Sequence, residues 1–227
     1  MIFIIQHPLI SICERFNLMK VEVIPVTPFQ QNCSVIVCTE TNKAAIVDPG
    51  GEIERICQRL NELDVEPEKI LITHAHIDHA GGTKDLADKL NIPIEGPEKE
   101  DIFWIEKLSD QSRMFQFPEA KQFTPNRWLL HDDKVTVGNL EFDVKHCPGH
   151  TPGHVVFINH LHKLIWVGDV IFKGSIGRTD FPRGDHQTLI NSISENLLNL
   201  PDDYQFISCH GPVSNIGHEK RTNPYLN

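Results

Sequence analysis

His74-Ala75-His76-Ile77-Asp78-His79 puts three imidazoles and one carboxylate into six residues. Neutral imidazole and carboxylate are the side chains best suited to bind zinc, iron or manganese. In extended backbone, side chains two apart share a face, so His74 and His76 can reach one ion together. Asp78 and His79 follow at a shorter step and address a second position. Without ions, packed histidines would each need a separate hydrogen-bond partner. The stretch therefore points to two adjacent divalent cations, an arrangement suited to hydrolysis.

Outward from the cluster, Ile70-Leu71-Ile72 reads as the short buried strand that delivers it. Upstream, strands are expected at 21–26, 34–38 and 44–47, before Asp48-Pro49-Gly50-Gly51 breaks the chain. Ile53, Ile56, Cys57, Leu60 and Leu63 recur at helical spacing. Downstream, 83–90 reads as a helix, 92–94 as a short strand, 98–108 as a helix and 109–125 as an irregular connector. The second half opens with a hairpin, 135–137 and 140–144, turning at Gly138-Asn139. Strands at 154–158 and 164–167 follow. A helical stripe of Leu189, Ile190, Ile193, Leu197 and Leu200 precedes a last strand at 205–208. Two strand-rich halves, each closed by helices, predict an α/β chain with two sheets face to face and helices outside.

Three further candidate ligands stand at strand ends or in Gly/Pro turns: His150, Asp169 and His210. Rigid strands fix such groups, and loops carry function. Asp48, before Pro-Gly, is a turn former and a candidate partner for a ligating imidazole; His154 and Thr151, beside His150, are candidates for the same supporting role. Lys173, Arg178 and Arg183 lie in the loop after Asp169.

The totals narrow the classes. The chain has 227 residues and a formal charge of -10, which argues against a nucleic-acid partner. Six irregularly spaced cysteines without a C-x-x-C pair read as reduced thiols in a cytoplasm. Cys147 and Cys209 read as small buried apolar residues. The apolar start, Met1-Ile2-Phe3-Ile4-Ile5, is too short to span a bilayer and has no charged leader, so no membrane role is expected. Residues 1–18 read as a disordered or non-native extension, and 19–227 as a single domain.

The order of these motifs resembles the metallo-β-lactamase superfamily: H-x-H-x-D-H, then a His, an Asp and a final His, over residues 20–224. Gln31-Asn32-Cys33, Val47-Asp48-Pro49-Gly50-Gly51, Gly96-Pro97-Glu98-Lys99-Glu100, Phe115, Gly168-Asp169-Val170-Ile171-Phe172 and Gly177-Arg178-Thr179-Asp180-Phe181 are similar to the short type II glyoxalases, the hydroxyacylglutathione hydrolases. The resemblance implies a four-layer αβ/βα sandwich of two mixed sheets flanked by helices. It implies that His74, His76 and His150 hold a first ion, that Asp78, His79 and His210 hold a second, and that Asp169 bridges both. The ions would be zinc, with iron or manganese as alternatives. The antibiotic-hydrolysing members generally carry Cys or Ser near the bridging position, so Asp169 disfavours β-lactam hydrolysis. The family usually reads Pro-Gly-His-Gly-Pro at the last ligand. Ser208-Cys209 replaces Pro-Gly here, which implies a differently seated loop and a looser second ion.

The implied reaction is attack of a metal-bridging hydroxide on the thioester of S-D-lactoylglutathione or a related acylglutathione, part of methylglyoxal detoxification. Asp78 would orient the nucleophile as well as ligate, and Arg178 and Lys173 would meet the anionic substrate. A small-molecule thioester is the expected partner, and a monomer or small homo-oligomer the expected assembly. Three rivals share the ligand set or the fold: an iron-dependent persulfide dioxygenase, a phosphodiesterase or nuclease, and a non-catalytic metal-binding or redox protein.

Overall fold

The computed structural model describes residues 18–226. Most of the expected extension, 1–18, lies outside the described residues. Leu18 is within them: its carbonyl accepts the Thr39 N–H at 3.0 Å and its side chain packs on the core.

The first sheet has five strands in the order β1 (Met19–Val26), β2 (Gln31–Cys38), β3 (Lys43–Val47), β4 (Glu66–Leu71) and β5 (Ile94–Glu95). β1, β2 and β3 pair antiparallel, and β3, β4 and β5 parallel. The second sheet has six strands. In chain order these are β6 (Lys134–Val137), β7 (Leu140–His146), β8 (Val155–Asn159), β9 (Leu164–Gly168), β12 (Gln205–Ser208) and β13 (Ser214–Asn215). They lie in the order β13-β12-β9-β8-β7-β6, with β12 and β9 parallel and the rest antiparallel. Between β9 and β12, β10 (Ile171–Phe172) and β11 (Ser175–Ile176) form a small separate hairpin.

Side-chain alternation along the strands accounts for four layers. In β3, Ala44 and Ile46 face helices, while Ala45 and Val47 face the other sheet. In β8, Val155 and Phe157 point between the sheets, and Val156 and Ile158 outward. The inner layer joins Ile36, Val47 and Leu71 to Phe142, Val144, Phe157 and Trp166. Helix α1 (Ile53–Leu63) covers the outside of the first sheet through Ile56 and Leu60. α3 (Thr83–Leu90) joins it through Leu86 and Ala87. α6 (His186–Asn196) covers the second sheet through Leu189 and Ile193, assisted by Ile216 of α7 (Ile216–Thr222). The α/β sandwich of two mixed sheets flanked by helices is therefore as the sequence implies.

Two expectations fail between 98 and 125. The single helix over 98–108 is broken into a 3-10 turn, Lys99–Asp101, and the short α4, Ile102–Ile105. The connector over 109–125 begins with a true helix, α5 (Leu108–Phe115). Its inward positions include Gln111 and Ser112, both buried. Polar residues on the inner face hid the periodicity.

The fold gathers loops at one edge. β3 and β4 run parallel, so Asp48 and the His74–His79 segment leave the first sheet at the same end. β7, β9 and β12 run in one direction, so the loops bearing His150, Asp169 and His210 also leave together. The sheets are tied there: Val155 N–H donates to Thr73 O at 2.8 Å, and Asn32 N–H to Cys209 O at 2.7 Å.

Candidate metal centre

His74 and His76 leave β4 in irregular backbone, then α2 (Ile77–Ala80) turns Asp78 and His79 to the other side. The turn requires close backbone approach: a Cβ on Gly50 would lie 1.6 Å from Asp78 O.

The seven candidate ligands converge as two groups. His74 Nε2 lies 3.1 Å and His150 Nε2 3.0 Å from His76 Nδ1. His210 Nε2 lies 3.1 Å and His79 Nε2 3.6 Å from Asp78 Oδ2. Asp169 Oδ2 stands between the groups, 3.6 Å from His79 Nε2, 3.6 Å from His150 Nε2 and 3.7 Å from His210 Nε2.

Neighbouring hydrogen bonds fix which nitrogen keeps its lone pair. Thr73 Oγ1 donates to Asp48 Oδ2 at 2.6 Å, so it accepts from His74 Nδ1–H at 3.1 Å, and His74 Nε2 is left as an acceptor. His150 Nδ1–H donates to Arg178 O at 2.7 Å, which leaves Nε2 free likewise. His79 Nδ1–H donates to Asp48 Oδ2 at 3.1 Å, turning Nε2 toward Asp78 and Asp169. Asp48 thus orients imidazoles of both groups. His154 stacks on His74, with centroids 4.6 Å apart, and its Nε2 accepts the Asp169 N–H at 3.0 Å.

Burial and neighbouring imidazoles push His74 and His76 well below the usual imidazole range, and burial pushes His150 down. All three therefore stay neutral and able to coordinate. Burial would raise the Asp78 and Asp169 carboxyls, but His79 outweighs it and holds both below the usual carboxylate range. Asp78 and Asp169 in turn raise His79 well above its ordinary value despite burial. Three carboxylates around His79 leave an excess of negative charge that a cation would balance. His79 Nε2 and Asp169 Oδ1 are buried without a hydrogen-bond partner, which leaves both atoms open to a metal ion.

Asp101, Gln111 and Thr73 escaped the sequence reading, the first two because they act from distant segments. Asp101, fully buried, accepts from Ala75 N–H (2.9 Å), Gly153 N–H (2.6 Å) and Thr151 Oγ1 (3.0 Å). It clamps the His74–His76 loop to the His150 loop. Gln111 Oε1 accepts the Ile77 N–H at 3.0 Å. Thr73 completes the Asp48 link. Cys209 is buried as expected, yet its Sγ donates to Asp48 Oδ2 at 3.2 Å. The His210 loop is pinned by Asn32 Nδ2, which donates to Ser208 O (3.1 Å) and Gly211 O (3.0 Å). Cys33, Cys38, Cys57, Cys147 and Cys209 are free.

A cavity of about 430 Å³ opens onto the two groups, with His76, His150, Asp78, Asp169 and His210 in its lining. Arg178 lines it, but both oxygens of Asp180 hold its guanidinium, at 2.7 and 2.6 Å. Lys173 lies in the β10–β11 turn, exposed and outside the cavity lining. No helix among the described residues is long and apolar enough to cross a membrane.

A four-layer sandwich with His/Asp groups able to hold metal at one edge, together with the relatives below, makes this a metal-dependent hydrolase. The chain belongs to the metallo-beta-lactamase superfamily, whose family model matches residues 26–210. Hydroxyacylglutathione hydrolase GloC of Haemophilus influenzae is 48% identical over 210 residues, 92% of this chain and 99% of the relative. The BLEG-1 B3 metallo-beta-lactamase superposes with a TM-score of 0.84 at 35% identity, covering 91% of this chain and 99% of that one. TTHA1623 in a di-iron-bound form gives 0.83 at 33% identity, covering 90% and 100%. ETHE1 from Myxococcus xanthus gives 0.75 at 25% identity, covering 91% and 84%.

Proposed function

We propose that this chain hydrolyses the thioester of S-D-lactoylglutathione or a related acylglutathione. One observation carries the reading: Asp169 Oδ2 stands at nearly equal distance from imidazoles of both groups, the place of a carboxylate shared by two ions. The similarity to a hydroxyacylglutathione hydrolase over nearly the whole chain supports the thioester.

The residues present fit two divalent cations. His74, His76 and His150 would hold the first, Asp78, His79 and His210 the second, and Asp169 both. We assign zinc, with iron or manganese as alternatives. Such ions, when bound, polarise a carbonyl oxygen and let water ionise near neutral pH. The chain's own work is positional. Thr73, Asp48 and the Arg178 carbonyl take up the Nδ1–H of His74, His79 and His150 and so aim each Nε2 into the site. Asp78, ionised and lining the cavity, can accept a hydrogen bond from the attacking water and orient it. His154 holds the backbone of Asp169, so that carboxylate does not drift with its loop. We place the enzyme in the cytoplasm, in methylglyoxal detoxification.

The test is turnover of S-lactoylglutathione against a panel of thioesters, alongside elemental analysis. Thioester hydrolysis rising with metal content is the expected result; metal-loaded protein inert toward every thioester would end the proposal. The likeness to ETHE1 keeps persulfide dioxygenation as a second reading. Oxygen uptake with glutathione persulfide would select it, and turnover of a β-lactam would select the activity named for BLEG-1.

A further inference from the structure

The cavity is walled by rings. Trp104 and Phe181 stand edge-on to His76, with centroids 4.5 and 5.0 Å away, and Phe172 lies 6.2 Å from His210. At the mouth, Phe29 meets Phe115 at 5.8 Å and is 45% exposed. Among the described residues Arg178 is the one Lys or Arg lining the cavity, and it is ion-paired at the surface: it makes two bonds to Asp180, both side chains being more than half exposed, and lies 4.1 Å over the Phe181 ring. Glutathione carries two carboxylates, and recognising them calls for unpaired cations or convergent N–H donors. The described lining offers one ion-paired guanidinium and a broad apolar wall. An apolar wall rewards burial of apolar surface.

On the reading of the site as a thioester hydrolase, we propose that selectivity lies in the acyl group. The cavity favours bulky aryl-bearing 2-hydroxyacyl thioesters over lactoyl, and it does not read the charge of the thiol portion. Phe29 and Phe115 are the specificity-determining residues at the mouth. Asp180 competes with a substrate carboxylate for Arg178, the one cation of the described lining.

S-mandeloylglutathione and S-lactoylglutathione share thiol and 2-hydroxyl and differ by phenyl for methyl, so the metal-loaded full chain can be compared on both. We expect kcat/KM for the mandeloyl ester to exceed that for the lactoyl ester by about 10-fold or more, mainly through KM. Phe115→Ala should pull that ratio toward one, and Phe115→Leu, which keeps the apolar volume, should leave an intermediate ratio. Exchanging glutathione for N-acetylcysteamine in the mandeloyl ester should cost less than about 10-fold. Asp180→Asn should raise the preference for the glutathione ester by freeing Arg178. A lactoyl ester turned over as well as the mandeloyl one overturns the proposal. So does a Phe115→Ala loss equal on both, or a loss above about 100-fold with N-acetylcysteamine. Inertness toward all of these esters at full metal loading sinks the hydrolase reading along with it.

Discussion

The two halves of the candidate centre are built to different standards. In the first, His74, His76 and His150 are buried, their nitrogens lie 3.0–3.1 Å apart, and His74 and His150 each have the far nitrogen tied down. In the second, His79 is buried and anchored on Asp48, but the His210 side chain is 30% exposed and sits beyond a strand end. Gly211 follows it at φ 80. Asn32 pins the backbone around His210 rather than its ring. A ligand held on one side costs entropy to fix and confers less affinity. The comparison leads us to expect unequal ions: a tight first and an exchangeable second.

The largest effect should come from removing what the halves share. Asp169→Ala should lower kcat/KM by about 10³-fold or more and reduce metal content below two per chain, as read by elemental analysis. Full activity in that variant would erase the distinction between halves. Next, His150→Ala should cost about 10³-fold and resist rescue, whereas His210→Ala should cost roughly 10-fold and recover in excess metal. Equal, unrescuable losses would show the halves equivalent. Asp48→Asn should weaken metal affinity by about 10- to 100-fold, because it supports His79 directly and His74 through Thr73. A competition titration against a chelator reads it, and an unchanged affinity would remove Asp48 from the account.

The smallest effect concerns the clamp between loops. Burial pushes Asp101 up to about 7, against an ordinary value of 3.8. Between those values the folded chain keeps a proton that the unfolded chain releases, so this group lowers stability as pH rises from about 4 to about 7. Asp101→Asn cannot titrate and cannot accept at both ends of its amide. In metal-free protein it should be less stable by about 1–3 kcal/mol. Its deficit relative to wild type should shrink as pH rises through that window, in denaturant titrations. A constant deficit would mean the carboxyl is ionised throughout.

These contrasts show which links the sequence carries. The His74–His79 stretch was legible because its candidate ligands are adjacent in sequence, just beyond a strand end. The strands were legible because both sheets bury both faces, giving apolar runs such as Val155–Ile158. Asp48 was readable as a turn former and as a candidate partner for an imidazole; that the imidazole is His79 required the fold. Asp101 was not readable, since its partners Ala75, Thr151 and Gly153 lie in two remote loops. Helix α5 was hidden by buried Gln111 and Ser112. Arg178 reads as a free cation until the backbone turn folds Asp180 onto it. The replacement of Pro-Gly by Ser208-Cys209 reads as a loosened loop, whereas Asn32 and the Cys209–Asp48 contact hold its backbone in place.

Paired cations on these side chains are proposed to do the chemistry. Metal-stripped protein reconstituted stepwise with zinc, with S-lactoylglutathione turnover followed against bound metal per chain, tests this most directly. Expected are no turnover without metal, full activity only on filling of the second, weaker position, and loss of both steps in Asp169→Ala. Turnover that persists in metal-free protein would contradict it.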